Sequence, residues 1–192
     1  MSEFRPRTTP PDPSDLRWIS DDEKYGGYNR CMIINTATGL TIPNCTGYVH
    51  GRWMEISGRN ECPLSVSNAA NYYGYTADGM ERGSEPRLGA VICFGTGLGH
   101  VAIVEEIVDD DTIITSDSNF GHEYFVMRTR HRSLGWNFWS GSDLVFQGFI
   151  YNPDAGKINR STLLLMMAAK KKRKEEEENG KSVRLQQYTG AL

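Results

Sequence analysis

Three features are missing from this 192-residue sequence, and each absence excludes a class of protein. No apolar run approaches the roughly 20 residues that a membrane-spanning helix needs. The net charge is only −3, so the composition offers no electrostatic case for a nucleic-acid partner. The segment before Trp18 has no apolar core like that of a signal peptide. We therefore expect a protein made in a cytoplasm, with no membrane span and no nucleic-acid partner.

Cysteine and histidine are also scarce, with four of each in the chain. The cysteines are Cys31, Cys45, Cys62 and Cys93, and their spacings match no zinc pattern. In a reducing compartment such residues are expected to be free thiols. The pattern thus predicts no structural zinc, and each cysteine has to be judged by its local surroundings.

Changes in composition divide the chain into three parts. Residues 1–17 are rich in Pro, Thr and Asp, which predicts an extended arm. Residues 18–152 have the mixed composition of a globular domain. Residues 153–192 open with a linker-like segment and continue with strong helix formers, which predicts a C-terminal helical tail.

Two helices are predicted in the first half of the globular part. CTGYVHGRWMEIS has apolar residues at helical spacing between Tyr48 and Ile56, so a helix should begin at Cys45. SVSNAANYYGYTADG predicts a second helix that begins near Ser65 or Ser67 and ends near Gly74.

Five short apolar runs follow these helices and are separated by Gly, Asp and Asn. Such runs predict strands joined by hairpin turns. They are GAVICFG, GHVAIVEEIV, DTIITSDSNF, EYFVMRTRH and DLVFQGFIYN. Helices followed by an antiparallel sheet give an α+β fold.

The C-terminal tail contains the apolar run Leu163–Met167 beside the basic run Lys170–Lys174 and four glutamates. A solvated tail helix is one interpretation of such charge blocks. The other is a docking segment for a partner protein, because five adjacent large apolar side chains are unfavourable in water.

Cys45 is a candidate nucleophile because it follows Pro43 and Asn44 at the predicted start of a helix. Unpaired N–H groups at a helix N-terminus favour the thiolate, which is the reactive form of cysteine. The alternative is a small buried cysteine, the commoner role of a single cysteine. Cys93 fits that alternative, since it lies inside a predicted core strand.

His100 is the candidate base for a cysteine nucleophile, because histidine most often activates a thiol. It stands at the start of a predicted strand, where Gly97 and Gly99 allow another backbone to approach closely. Of the other histidines, His50 lies on the helix predicted to begin at Cys45, and His122 and His131 lie in or near predicted loops.

The third polar group can be located from the hairpin between HVAIVEEIV and TIITSDSN. If Asp109 and Asp110 form a two-residue loop, paired positions place Asn119 opposite His100 and Asp117 on the same face of the sheet. Either Asp117 or Asn119 could then orient the imidazole. A three-residue loop would shift the register by one and break this pairing.

Four segments in this order resemble the CHAP domain, a papain-like cysteine amidohydrolase and peptidase module of phage lysins and bacterial wall hydrolases. They are PNCTGYVHGRW, PRLGAVICFG, GHVAIVEEI and IITSDSNF. The resemblance covers roughly Tyr25 to Tyr151. It implies a papain-like fold, with N-terminal helices packed on a central antiparallel sheet.

The resemblance also implies roles for particular residues. Cys45 would be the nucleophile and His100 the general base, with Asp117 and Asn119 as polar partners of the imidazole. The Cys45 backbone N–H would contribute to an oxyanion hole. Asn44 stands where the family often has Gln, so its own contribution to that hole is left open.

The expected reaction is hydrolysis of an amide bond in peptidoglycan, with no cofactor and no metal. Some relatives bind calcium in an Asp-rich loop before the nucleophile, but the corresponding segment NTATGLTIPN has no acidic residue. The implied protein is a phage endolysin or tail-associated lysin, released through a holin or carried in the virion. Two alternatives are another papain-like wall endopeptidase, with His122 as a second histidine, and a catalytically decayed structural virion protein.

Overall fold

The computed structural model describes residues 4–12, Trp18, and residues 32–34, 41–118, 123–137 and 141–155. Helix α1 runs from Cys45 to Ser57. The strands in chain order are β1 Met32–Ile34, β2 Thr41–Pro43, β3 Arg82–Gly83, β4 Val91–Gly95, β5 His100–Ile107, β6 Thr112–Asp117, β7 Val126–His131 and β8 Val145–Ile150.

The strands form a six-stranded antiparallel sheet and a separate two-stranded ribbon. The order in the sheet is β3-β8-β4-β5-β6-β7, and the ribbon pairs β1 with β2. All five predicted apolar runs contribute a strand to this sheet. The α+β class and the antiparallel sheet predicted from the sequence are therefore confirmed.

Helix α1 begins and ends at local capping signals. The side chain of Asn44 accepts a hydrogen bond from the Gly47 N–H at 2.9 Å, which satisfies one free donor of the first turn. Gly58 ends the helix in the left-handed conformation, at φ 66°, where glycine carries no Cβ penalty. The prediction of a helix from Cys45 is confirmed.

The sheet has an apolar core on each face. Helix α1 covers one face, with Tyr48, Val49 and Met54 packed among residues of β4 and β5. The other face carries a second apolar cluster, in which Trp136 packs on Phe149 of β8. The alternation of side chains along β4 explains the division, since successive residues point to opposite faces.

The second predicted helix is wrong. Only Ala69–Asn71 forms a single turn of 3-10 helix, and turns follow it to Gly74. The segment is rich in Ser, Asn and Tyr, which have only modest helix propensity. The Ala70 N–H instead donates to the carbonyl of Leu98 at 2.9 Å, so a long-range bond replaces a helical one.

The hairpin between β5 and β6 differs from its prediction at the loop but agrees with it near the site. The loop has three residues, because the Val108 N–H donates to the Thr112 carbonyl at 2.9 Å. A bulge at Glu105 then shifts the register back by one residue. Val104 lies opposite Thr115, which is the pairing that the two-residue loop predicted. The predicted loop length is therefore wrong, and the bulge restores the register.

The described part of the N-terminal arm, residues 4–12, has neither helix nor strand, and it packs against the domain. Phe4 is buried in the core that α1 covers. The Arg7 N–H donates to Glu105 at 2.9 Å, and the Arg7 side chain pairs with Glu55 of α1. The described part of the arm is thus held against the domain by core contacts and by charge.

The described chain ends in a turn at residues 153–155, where Ala155 is buried and Asp154 pairs with Arg59 at 3.3 Å. The predicted tail helix, with its run Leu163–Met167, lies outside the described residues. Among the residues that are described, no helix has the length and apolar character to cross a membrane.

Candidate active site

Cys45 is the first residue of α1 and its thiol is free and half-buried. Asn44, before it, uses its side-chain oxygen to cap the helix, accepting from the Gly47 N–H and from the Thr46 hydroxyl at 2.8 Å. A helix start leaves its first N–H groups without intrahelical partners, so the backbone around Cys45 can donate to an anion. The arrangement suits a thiolate and a nearby oxyanion.

His100 is the first residue of β5, is buried, and contacts both Cys45 and Asp117. Its Nε2 lies 3.1 Å from Oδ2 of Asp117. This close polar contact is an ion pair when His100 is protonated. Because Nε2 faces the carboxylate, Nδ1 is the ring nitrogen that is available to contact the Cys45 sulfur.

Asp117 is the last residue of β6 and is buried. Its Oδ2 faces Arg130 Nη2 at 3.1 Å and Arg128 Nε at 3.4 Å, in addition to His100. Its other oxygen, Oδ1, is buried and accepts no hydrogen bond from the described residues. One carboxylate oxygen therefore meets three cationic groups.

The pKa values of His100 and Asp117 shift in opposite directions. Burial by itself lowers the pKa of His100, but the Asp117 carboxylate and the contact with Cys45 outweigh it and raise that pKa to about 9. Burial acts to raise the pKa of Asp117, but His100, Arg130 and Arg128 outweigh it and lower that pKa. Both effects favour an imidazolium beside a carboxylate.

Two hydrogen bonds connect the chain around Cys45 to the chain around Asp117. The Ser118 hydroxyl donates to the Pro43 carbonyl at 2.6 Å, two residues before Cys45. The Tyr48 hydroxyl donates to Ser116 Oγ at 2.8 Å. Ser116 and Ser118 thus point toward α1, whereas Asp117 between them points to the other side, as strand alternation requires.

The loop before His100 is built by close backbone contact. Gly99 has φ 73°, and a Cβ there would lie 2.2 Å from the Ala70 nitrogen. No other residue type fits without displacing that backbone. Thr96 also has positive φ, 77°, which is unusual for a β-branched residue. The loop that presents His100 is thus held in a strained conformation.

The other cysteines and histidines have structural surroundings where the structure describes them. Cys62 and Cys93 are buried in the core, and burial raises the pKa of both thiols. His50 Nε2 contacts the Ser65 carbonyl at 2.9 Å and the Tyr72 hydroxyl at 3.0 Å. His131 is partly exposed and lies 3.6 Å from Asp111.

Three residues named from the sequence lie outside the described residues. They are Cys31, His122 and Asn119. The structure brings Cys45, His100 and Asp117 together, and of the two candidate orienting residues it is Asp117 that is seen to contact His100.

Sequence analysis missed Arg128 and Arg130. The sequence does show that the two arginines are two residues apart on one predicted strand, so their side chains share a face. It does not show that Asp117 is their partner, because the pairing of β6 with β7 depends on the connection between these strands. The bulge at Glu105 was missed for a related reason, as no local signal marks it.

A pocket of about 220 Å³ lies near the C-terminal end of α1 and is lined by residues that include Trp53, Ser57 and Arg59. Cys45 is at the opposite end of this helix.

Within the described part of the chain, no cluster of three or more His, Cys, Asp or Glu residues could hold a metal ion.

Comparison with known families finds a match over part of the chain. Residues 35–119 match the family model of the CHAP domain, and this confirms the resemblance drawn from the sequence. The matched range contains Cys45, His100 and Asp117. The match implies a family of peptidoglycan hydrolases and amidases. A search of curated proteins finds none that matches the chain significantly.

Proposed function

We propose that this CHAP domain hydrolyses an amide bond of peptidoglycan through a thiolate of Cys45. The observation that carries the proposal is the position of His100, which contacts Cys45 and faces Asp117 at 3.1 Å. Nucleophile, base and orienting carboxylate are the three parts that covalent catalysis by cysteine requires.

The proposed reaction runs in two steps. The Cys45 sulfur attacks the amide carbonyl carbon, and His100 then protonates the departing amine as the carbon–nitrogen bond breaks. The resulting thioester is hydrolysed by a water molecule that gives its proton to His100, which frees the carboxylic acid and the thiol. Backbone N–H groups at the start of α1 would stabilise the oxyanion in both steps. Asp117 would keep the imidazole aligned.

Digestion of purified peptidoglycan tests this proposal. We expect the wild-type protein to release new amino and carboxyl ends, identified by mass spectrometry, and Cys45→Ala to release none while keeping its melting temperature. Cys93→Ala is the matched control: it removes a buried thiol from β4, so it should lower stability and leave the chemistry in place. Digestion by folded Cys45→Ala at the wild-type rate would show that another nucleophile acts.

The same experiment separates an enzyme from a decayed structural protein. A thiol-reactive probe should label Cys45 much faster than the buried Cys62 and Cys93 if the site is active. Equal labelling rates, together with no digestion of several wall chemotypes, would favour the structural interpretation. The ends that are released would also distinguish an amidase from an endopeptidase.

We propose a phage lysin as the biological setting, either an endolysin released through a holin or an enzyme carried on the virion. The support for this setting is the sequence resemblance to lysin domains. Expression with and without a holin in a host of matching wall type tests the endolysin form. Lysis only in the presence of the holin supports it, and lysis in neither strain argues against it.

We further propose that the C-terminal run Leu163–Met167 docks onto a virion component. The support is its sequence, which places five large apolar residues beside charged blocks. A truncation that tests this should retain Ala155, which is buried in the domain. Ending the chain after Lys157 should preserve wall hydrolysis and abolish attachment. Loss of hydrolysis would instead assign the segment to the enzyme itself.

A further inference from the structure

We propose that Arg128 and Arg130 are positioning residues that hold one oxygen of Asp117 against His100 and offset its negative charge. The inference rests on the proposed function, since it assigns these residues to the same reaction. Both arginines lie on β7, outside the matched range 35–119. The family match therefore assigns them no role.

The two arginines reach Asp117 because of strand pairing. β7 pairs antiparallel with β6, with Arg128 opposite Thr115 and Arg130 opposite Ile113. Residues two apart on a strand share a face, so both side chains point to the face that Asp117 occupies. They converge on Oδ2, the oxygen that faces His100, at 3.1 Å and 3.4 Å. Arg130 donates a hydrogen bond to that oxygen and Arg128 adds an ion pair, so both contacts restrain its position.

Arg130 is itself held from several sides. It is fully buried, its Nε donates to Thr115 Oγ1 at 2.8 Å, and its Nη1 donates to the Trp136 carbonyl at 3.3 Å. Its guanidinium lies over the Phe94 ring, 4.9 Å from the ring centre. A guanidinium with these anchors is planar and has little freedom to turn. It gives Asp117 a fixed partner, whereas a partner in solvent would move.

The charges around His100 give the arginines a second effect. The charged or titratable groups that face this site are Cys45 from α1, Asp117 from β6, and Arg128 and Arg130 from β7. Arg128 also pairs with the largely exposed Glu123 at 3.4 Å, so the buried Arg130 supplies most of the positive charge that offsets Asp117 beside the imidazole. This charge weakens the hold of Asp117 on the imidazolium proton, which His100 must give up to the leaving amine.

Methionine substitutions test both effects, since they keep much of the side-chain volume and remove the charge. For Arg130→Met we expect kcat on wall peptides to fall about tenfold with little change in KM, because the interaction acts on the transition state. The alkaline limb of kcat/KM should move to higher pH, because the imidazolium is then more stable. Arg128→Met should shift the limb in the same direction by a smaller amount, as this side chain is 14% exposed.

The controls separate charge from packing. Arg130→Lys keeps the charge, so its alkaline limb should stay near the wild-type position even if the loss of the planar fork lowers kcat. Arg132→Met is the matched control at the surface, because Arg132 pairs with the exposed Glu85 at 2.6 Å. It should leave kcat, KM and the pH profile unchanged.

The His100 titration, followed by NMR of the imidazole, provides a readout that needs no substrate. His100→Gln assigns the resonance. We expect the titration to move to higher pH in Arg130→Met and Arg128→Met and not in Arg132→Met. If Arg130→Met does not fold, Arg128→Met decides the question.

Two outcomes would overturn the inference. One is an unchanged His100 titration in both folded variants. The other is a loss of activity that follows the melting temperature alone, with no change in the pH profile. A wild-type protein that digests no peptidoglycan, but whose His100 titration responds as expected, would instead refute the proposed function and leave the positioning of Asp117 supported.

Discussion

The Asp117 carboxylate determines how the His100 side chain behaves. It is buried beside two arginines and remains ionised, because these cations and His100 lower its pKa. A buried carboxylate that stays charged is unfavourable alone, and its partners make it tolerable. The same charge raises the pKa of His100, so a single ion pair affects both chemistry and stability.

His100 should make the stability of the protein depend on pH. Its pKa is about 9 in the folded chain, against about 6.5 in an unfolded chain, so the folded state binds the proton more tightly. The resulting stabilisation is fully present below about pH 6.5 and is lost as the pH rises through about 9. It is on the order of 3 kcal/mol when fully present.

Urea unfolding at several pH values checks this expectation. The free energy of unfolding of the wild-type protein should decrease between pH 6.5 and 9, and His100→Gln should remove most of that decrease. Asp117→Asn should also remove it, because it deletes the charge that raises the pKa of His100. A His100→Gln protein with the wild-type pH dependence would contradict this account.

Among the secondary-structure elements, hydrogen bonds join the start of α1 and the residue before it to the end of β6. Ser118 donates to the carbonyl of Pro43, just before the helix, and Ser116 accepts from the hydroxyl of Tyr48, in its first turn. The Ser116 hydroxyl also donates to the Glu105 carboxylate, which forms an ion pair with Arg52 of α1. The bulge at Glu105 thus lies beside a buried polar network that joins the helix to the sheet.

Ser118→Ala should weaken the connection between helix and strand. It leaves the Pro43 carbonyl buried without its donor, which should cost about 1–3 kcal/mol of unfolding free energy. Activity at a temperature where the variant is fully folded should also fall, because Pro43 precedes the Asn44–Cys45 turn. Chemical unfolding and peptidoglycan digestion measure the two effects.

The matched control for this change lies at the other end of the same helix. Ser57 donates to the Met54 carbonyl at 3.2 Å, so Ser57→Ala also removes a hydroxyl from a local hydrogen bond. It should leave activity unchanged and cost less stability, since Ser57 is only partly buried. Equal losses of activity in the two variants would argue against a specific effect at Cys45.

For the domain as a whole, the N-terminal arm is part of the folded unit. Phe4 is 5% exposed, and the Arg52 guanidinium lies 5.4 Å from its ring centre. Arg7 lies over Trp18 at 5.0 Å and binds Glu55 and Glu105. The Tyr124 hydroxyl donates to the Pro11 carbonyl at 3.1 Å, so the arm contacts the domain along its described length.

Phe4→Ala should therefore destabilise the whole domain. Loss of a buried phenylalanine costs about 3–5 kcal/mol, which for a domain of this size lowers the melting temperature by about 6–20 °C. Thr8→Ala is the control on the same arm, because Thr8 is exposed and should change stability by less than about 0.5 kcal/mol. Calorimetry measures both variants, and a Phe4→Ala protein as stable as Thr8→Ala would show that the arm contributes little.

Local patterns in the chain were sufficient for much of the domain. The Asn44 cap, the apolar spacing of α1 and the five short apolar runs act over a few residues, so they can be read without a partner. The same holds for the placement of Cys45 at a helix start and of His100 at a strand start. These features depend on backbone geometry close by in the sequence.

Contacts between distant residues decided the rest. The segment after Ser65 is a turn and not a helix because Ala70 bonds to Leu98, and the register at Asp117 is preserved because a bulge compensates for the longer loop. Arg128 and Arg130 reach Asp117 only once β7 has paired with β6. Pairing of strands and burial of charge are properties of the assembled sheet, since each depends on residues far apart in the chain.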